Sequence, residues 1–237
     1  MVLGAVMRYR HVFFDLDHTL WDFETNSRAT LHELHGELGL PDLGIPDAAE
    51  FVATYEEVNR HLWGGYETGR IPKQVLRILR FRNTLLHFGV RNDRLAAMLA
   101  HEYLDRSPRR GALMPGAREL LEDLRPHAGL HVITNGFEEV QGVKLASSGI
   151  ADLFDVVLTS ERAGHRKPDA RIFHKALKAA RADAGNSLMV GDNAAADMLG
   201  ARNAALDHAH LVPTGAHDPE ATYRIRQLAE LRPILLG

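Results

Sequence analysis

The sequence predicts an α/β fold: a parallel sheet covered by helices on both faces, interrupted near its start by an all-helical insert. Three observations predict it. From Gly111 onward short apolar runs of strand length alternate with helical patterns, the arrangement that crossover connections impose on parallel strands. Between residues 21 and 110 the periodicity is helical throughout, with no convincing strand. One β-branched and aromatic run at 10–14 stands alone before that stretch. The core is therefore discontinuous, residues 1–20 plus 111–237, with a helical module at 21–110.

The first strand is expected at 10–14, too short for a helix. In the insert, Leu31, Leu34 and Leu38 mark one face of a helix that stops near Gly39 and Pro41. Asp47 with Glu50 makes a capping-box-like start for a helix carrying Phe51, Tyr55, Val58 and Leu62. Gly64-Gly65 and Gly69 are expected to break it. A third helix begins near Pro72 with Val75, Leu79 and Leu86, and a fourth after Asn92 with Leu95, Leu99 and Tyr103. Pro115 opens the next, bearing Leu120, Leu121 and Leu124. Further strands are expected at 130–134, 155–159, 187–191 and 208–212, with helices at 138–148, 169–181 and 194–205. A closing helix at 221–231 would carry Ile225, Leu228 and Leu231.

Composition removes several functional classes. The 237 residues, 45% hydrophobic, suffice for a core plus a smaller unit. There is no cysteine, which excludes disulfides, thiolate metal sites and cysteine nucleophiles and fits a reducing compartment. A formal net charge of −3 argues against a nucleic-acid polymer as partner, since such surfaces need a broad basic face. No stretch has the length of a membrane span, and the N-terminus lacks the apolar core of a signal peptide. The expected location is cytoplasmic, with 1–7 a frayed lead-in.

Four polar clusters follow four of the strand candidates: Asp15-Leu16-Asp17-His18-Thr19-Leu20, Thr134-Asn135-Gly136, Lys167-Pro168, and Gly191-Asp192-Asn193 with Asp197. Ligands of open α/β sheets bind beyond such strand ends. Each cluster alone is common in turns and loops; the set, in one order, points to phosphate ester cleavage. Asp15, first after its apolar run, suits a nucleophile that forms an acyl phosphate. Asp17 can protonate the leaving oxygen and later deprotonate water. A phosphate dianion approaching Asp15 and Asp192 is repelled, by about 4 kcal/mol per pair of unit charges at 4 Å and an effective dielectric near 20. Cations must offset this. Mg²⁺ held by Asp15, Asp192 and the main-chain carbonyl of Asp17, with Lys167 as a second positive charge that binds the phosphate, meets the need. The Thr134 hydroxyl and the amides of Asn135 and Gly136 would hold the remaining phosphate oxygens.

Through those residues the chain resembles the haloacid dehalogenase-like superfamily, over nearly its whole length. The resemblance gives Asp15 and Asp17 the nucleophile and acid/base positions, Thr134 the phosphate-binding position, Lys167 that of the motif lysine, and Asp192 and Asp197 those of the acidic metal-binding motif, Asp197 supporting the metal site from behind. It implies a Rossmann-like core, Mg²⁺ dependence and a helical cap inserted after the first motif. The stretches 13–23, 133–141, 159–164 and 59–82 further resemble the pyrimidine 5′-nucleotidase branch, which implies a small phosphorylated metabolite, a nucleoside monophosphate, as substrate. Two departures stand out. His18 occupies a position where many members have glycine, and 204–208 lacks the glycine usual before the last strand.

Other readings share parts of this pattern. A phosphatase for sugar phosphates or phosphoglycolate would use the same core. A 2-haloacid dehalogenase needs neither Asp17 nor a metal, and a non-catalytic phosphate-binding protein would not need the acid/base. In the insert, Trp63, Tyr66, Lys73, Arg77 and Arg80 could meet a base, a phosphate or a ribose, but the aromatic pair is expected to pack the insert and the three cations to form a solvated face. Trp21 and Phe23 are expected to pack near a hinge about which the insert could close.

Overall fold

The computed structural model describes residues 8–237; the lead-in expected at 1–7 lies outside the described residues. The chain divides into two compact units. One runs to Phe23 and resumes at Gly111, and the other is Glu24–Arg110. Among the described residues no helix is long and apolar enough to cross a membrane.

The first unit is a six-stranded, all-parallel sheet: β1 (His11–Phe14), β2 (Gly129–Thr134), β3 (Val156–Thr159), β4 (Ser187–Gly191), β5 (Asp207–Leu211) and β6 (Tyr223–Ile225), in the order β3-β2-β1-β4-β5-β6. Strand alternation sends Val12 and Phe14 to one face, where they join Leu130, Val132, Leu188 and Val190, and sends Phe13 to the other with Ile133 and Met189. Apolar clusters cover both faces, as a doubly covered sheet requires, with His131, His208 and His210 buried among them. β1 pairs with β2 on one side and β4 on the other, so the strand order reverses about β1. The crevice beyond its carboxyl end is where such sheets take ligands.

The second unit holds α2 (Ala48–Glu67), α3 (Lys73–His87), α4 (Asp93–Arg106) and nearly all of α1 (Phe23–Glu37). Asp47 caps α2 by accepting from the Ala49 and Glu50 amides at 2.7 and 3.2 Å, and the Asn92 side chain caps α4. α2 passes through Gly64-Gly65 and ends only at Glu67, with the left-handed Gly69 just beyond. The expected break at the glycine pair is therefore corrected. Propensity lost at two glycines is recovered by burying Leu62 and Tyr66 on either side.

α3 forms where expected but turns a different face inward. Leu76, Phe81 and Leu85 are buried, whereas Val75 and Leu86 are exposed. Arg80 and Thr84 lie on the buried face, which made it read as polar. The Arg80 guanidinium rests 4.8 Å from the Tyr103 ring centroid and 5.8 Å from that of Tyr55, a cation held by aromatic faces. This corrects the solvated-face expectation for Arg80, which is only 4% exposed. Trp63 and Tyr66 do pack together, with ring centroids 5.2 Å apart.

In the core the remaining helices are α5 (Ala117–Leu124), α6 (Glu138–Ser147), α7 (Ser160–Ala163), α8 (Ala170–Ala180), α9 (Leu199–Asn203) and α10 (Leu231–Leu235). The helix expected at 194–205 starts instead as one wide π-type turn, Ala194–Met198, before α9. The closing helix expected at 221–231 is also corrected. Ile225 ends β6, which pairs with β5, while Leu228 lies in a 3₁₀ turn and Leu231 begins α10. All three side chains are buried in one cluster, so the apolar spacing marks burial correctly. Pairing with the open edge of β5 overrides the helical periodicity.

The connection into β5 lacks the glycine expected before that strand, and Ala205 takes the left-handed conformation itself, with φ 58°. That geometry costs an L residue roughly 1–2 kcal/mol, while glycine loses about 0.5–1 kcal/mol to its freer unfolded chain. Ala205 is exposed. Ala205→Gly is expected to raise stability by about 0.5–1 kcal/mol, read as a higher urea midpoint at unchanged slope; a lower midpoint would show that the turn is unstrained.

Candidate active site

β1 carries the first acid to the crevice. The Asp15 amide still donates to Val190 O at 2.9 Å, continuing the ladder, and then the chain curls. Leu16 O accepts from the Leu20 and Trp21 amides, and His18 adopts φ 64°, a left-handed conformation in which glycine would be the easier residue. The curl separates two carboxylates that an extended strand would project on the same side.

Asp15 points into a buried cluster. Its Oδ1 accepts from Lys167 Nζ at 2.6 Å, and the same ammonium donates to Asp197 Oδ1 at 2.6 Å and to Ile133 O at 2.9 Å. Those three bonds use every donor of the ammonium. Single carboxylate oxygens of Asp15, Asp192 and Asp197 lie within 4.8 Å of one another. Asp192 is contributed by the turn after β4, the neighbour of β1 in the sheet, and its Oδ1 accepts from the buried Thr19 hydroxyl at 3.0 Å. Asp197 is 0% exposed and sits under Gly191, where an added Cβ would meet its Oδ2 at 2.3 Å. The wide turn is what brings Asp197 there, and the Asn193 amide binds its Oδ2 at 3.0 Å.

Three carboxylates and one ammonium share this volume, and the deficit of positive charge is visible in their protonation. Burial pushes the Asp15 carboxyl up to about 7 against the pull of Lys167, and Asp197 adds to the rise. Burial, then the charge of Asp15, raises Asp192 to about 6. Asp197 is raised as well, by burial first. Burial opposes the charge on Lys167, yet Asp15 and Asp197 together hold its ammonium well above the usual lysine range. A cluster short of cations and rich in carboxylate oxygen fits a hard divalent ion.

Asp17 stands apart from the trio. Its side chain is 22% exposed, and its Oδ1 accepts from Lys144 Nζ at 2.5 Å. Its expected part in a metal site was through its main-chain oxygen, so the carboxylate remains separate. Thr134 ends β2 and accepts from the Gly136 amide at 2.9 Å, which leaves the hydroxyl proton to donate outward. The Asn135 side chain is committed elsewhere: it grips the Lys167 backbone, Oδ1 accepting from the amide at 2.9 Å and Nδ2 donating to the carbonyl at 3.1 Å. Gly136 likewise spends its amide on Thr134, so the amide of Asn135 is the main-chain group of the expected set with no such commitment to Thr134.

Three residues at this site carry no motif in the sequence. His210 on β5 donates through Nε2 to Asp192 O at 2.9 Å, a tautomer fixed because Nδ1 accepts from the Asp218 amide at 2.8 Å. Gln141 on α6 is 1% exposed, packed against Gly136, with neither amide atom hydrogen bonded. Lys144, one turn further, is 5% exposed. Apolar patterning could have flagged the last two only by their place on the inward face of α6.

The chain belongs to the haloacid dehalogenase-like hydrolase family, whose model matches residues 9–205, and is thus an enzyme of hydrolytic class. It is 32% identical to the pyrimidine 5′-nucleotidase YjjG of Escherichia coli over 97% of this chain and 99% of that one. It is 34% identical to the pyrimidine 5′-nucleotidase PynA of Streptococcus pneumoniae, over 85% and 83% respectively. Among solved structures it is similar to the HAD-hydrolase YfnB of Bacillus subtilis bound to magnesium, with a TM-score of 0.85 and 30% identity over 96% of this chain and 99% of that one.

Proposed function

We propose that this protein is a Mg²⁺-dependent phosphate monoester hydrolase of the cytoplasm, acting through an aspartyl phosphate on Asp15, with nucleoside monophosphates, pyrimidine ones among them, as substrates. The observation that carries the reading is the buried trio Asp15, Asp192 and Asp197 with Lys167 as the one cation bonded to it among the described residues, set beyond adjacent parallel strands, with a fourth carboxylate, Asp17, nearby in sequence but outside the trio. A nucleophile and a proton-transfer group need different surroundings, and these two acids have them. The nucleotide preference rests on the two pyrimidine 5′-nucleotidases to which the chain is similar.

In the first step an Asp15 oxygen attacks phosphorus and the ester bond breaks, Asp17 giving its proton to the departing oxygen. Asp17 then takes a proton from water as that water attacks the same phosphorus, releasing phosphate and restoring Asp15. The Thr134 hydroxyl and the Asn135 amide hold phosphate oxygens, and Lys167 stays locked to Asp15 and Asp197, aligning the nucleophile. Asp15, Asp192 and the Asp17 carbonyl would hold Mg²⁺, with Asp197 behind them, and the bound ion would supply the positive charge that lets a dianion approach.

The test is phosphate release from a panel of phosphorylated metabolites with Mg²⁺. Pyrimidine monophosphates are expected among the better substrates. If sugar phosphates are cleaved and nucleotides ignored, the nucleotide preference is wrong and the phosphatase stands; if no ester is cleaved by folded, metal-loaded protein, the phosphatase reading fails.

A further inference from the structure

We propose that Lys144 is a positioning residue for Asp17: it pins one carboxylate oxygen so that the other is held toward the reacting ester. The inference rests on the acid–base role proposed for Asp17. Lys144 lies on α6, outside every motif, and only 7% of its side chain is exposed. Taking an ammonium out of water is costly, so a lysine serving packing alone would be better replaced by an apolar residue of its length.

What surrounds the ammonium is specific. Its Nζ lies 4.4 Å from the Trp21 ring centroid and 5.8 Å from that of Phe23, and it donates to Asp17 Oδ1 at 2.5 Å. The aromatic faces attract the cation and limit where it can swing. Through it, the partly exposed Asp17 carboxylate is fixed at Oδ1, while Oδ2 accepts no hydrogen bond among the described residues. A group that must meet first a leaving oxygen and then a water at one place benefits from a fixed aim, since small misplacements of reacting groups cost large factors in rate. The two aromatic residues after the first motif thereby gain a purpose: they build the wall that holds the lysine.

The experiment compares Lys144→Met, Lys144→Arg and Asp17→Asn on two esters, p-nitrophenyl phosphate, whose leaving group needs little protonation, and the best alkyl phosphate of the panel. Thermal unfolding checks each variant, and Lys144→Gln replaces Lys144→Met should the latter not fold. Asp17→Asn is expected to lose about 10²–10⁴-fold in kcat on the alkyl ester and less on the nitrophenyl ester. Lys144→Met should repeat that leaving-group bias at roughly one-tenth of the loss in kcat or less, with KM within about two-fold, and Lys144→Arg should recover part of the rate by keeping the charge over the rings. If Asp17→Asn shows the bias and Lys144→Met keeps the wild-type rate, or loses equally on both esters, the positioning role is overturned while the acid–base reading stands. If Asp17→Asn itself keeps wild-type rates, that reading fails and the inference falls with it.

Discussion

Asp15→Asn is expected to remove turnover by about 10⁴-fold or more, the scale on which loss of a covalent nucleophile is felt, while the protein stays folded. The amide is isosteric but cannot attack phosphorus as a carboxylate does. Its effect on the fold follows from the charge balance of the cluster. Wild-type Asp15 is a buried acid whose ionised form is disfavoured by burial, with Lys167 opposing. Replacing it leaves Lys167 paired with Asp197 at 2.6 Å and relieves some of the crowding of negative charge felt by Asp192. The metal-free variant should therefore unfold no earlier than the metal-free wild type. Steady-state phosphate release and thermal unfolding check both halves, with mass spectrometry to confirm that the asparagine has not deamidated. A variant with near-normal rates would move the nucleophile elsewhere.

The site was legible in sequence where it depends on strand ends. Asp15, Thr134 and Asp192 each close or follow a short apolar run, and a parallel sheet must bring the carboxyl ends of neighbouring strands to one edge. Lys167 and Asp197 were legible only through their order along the chain, because the loop and the wide turn that carry them have no periodic signature. The Asn135 side chain shows the limit of that reading: the residue type fits a phosphate loop, but its amide is spent on the backbone of Lys167, a pairing across 32 positions that no local pattern announces.

Lys144 and Gln141 were illegible for a related reason. A lysine in a helix ordinarily faces solvent, and what buries this one comes from Trp21 and Phe23 far away in sequence. Arg80 repeats the lesson in the helical unit, where the rings of Tyr55 and Tyr103 cover a guanidinium that reads as surface. Strand and helix errors have the same origin. Ile225, Leu228 and Leu231 have helical spacing, and only the unsatisfied edge of β5 turns the first of them into a strand residue. At Ala205 and His18, by contrast, the backbone makes a left-handed turn without a glycine, so topology there is held by its surroundings against local preference.

Magnesium should stabilise the protein more as pH rises, and the sign follows from the carboxylates. Asp15 at about 7 and Asp192 at about 6 stand above their unfolded value of 3.8, so between roughly pH 4 and pH 7 these two carboxyls bind more protons in the native state than in the unfolded chain. Their contribution to the stability of the metal-free protein falls across that window and levels off above it, while His131, His11 and His210, held below the usual histidine range by burial, contribute in the opposite sense with or without the ion. Lys167, raised from an already high value, stays charged throughout and contributes no slope there. A divalent ion on the trio must displace those protons, so it binds weakly at low pH and offsets the full penalty at high pH. Thermal unfolding with Mg²⁺ or with chelator at pH 5.5 and pH 8 should give a small increment at the lower pH and several degrees at the higher. Equal increments at both would mean that the ion binds away from Asp15 and Asp192, and that their raised protonation is relieved by something other than a metal.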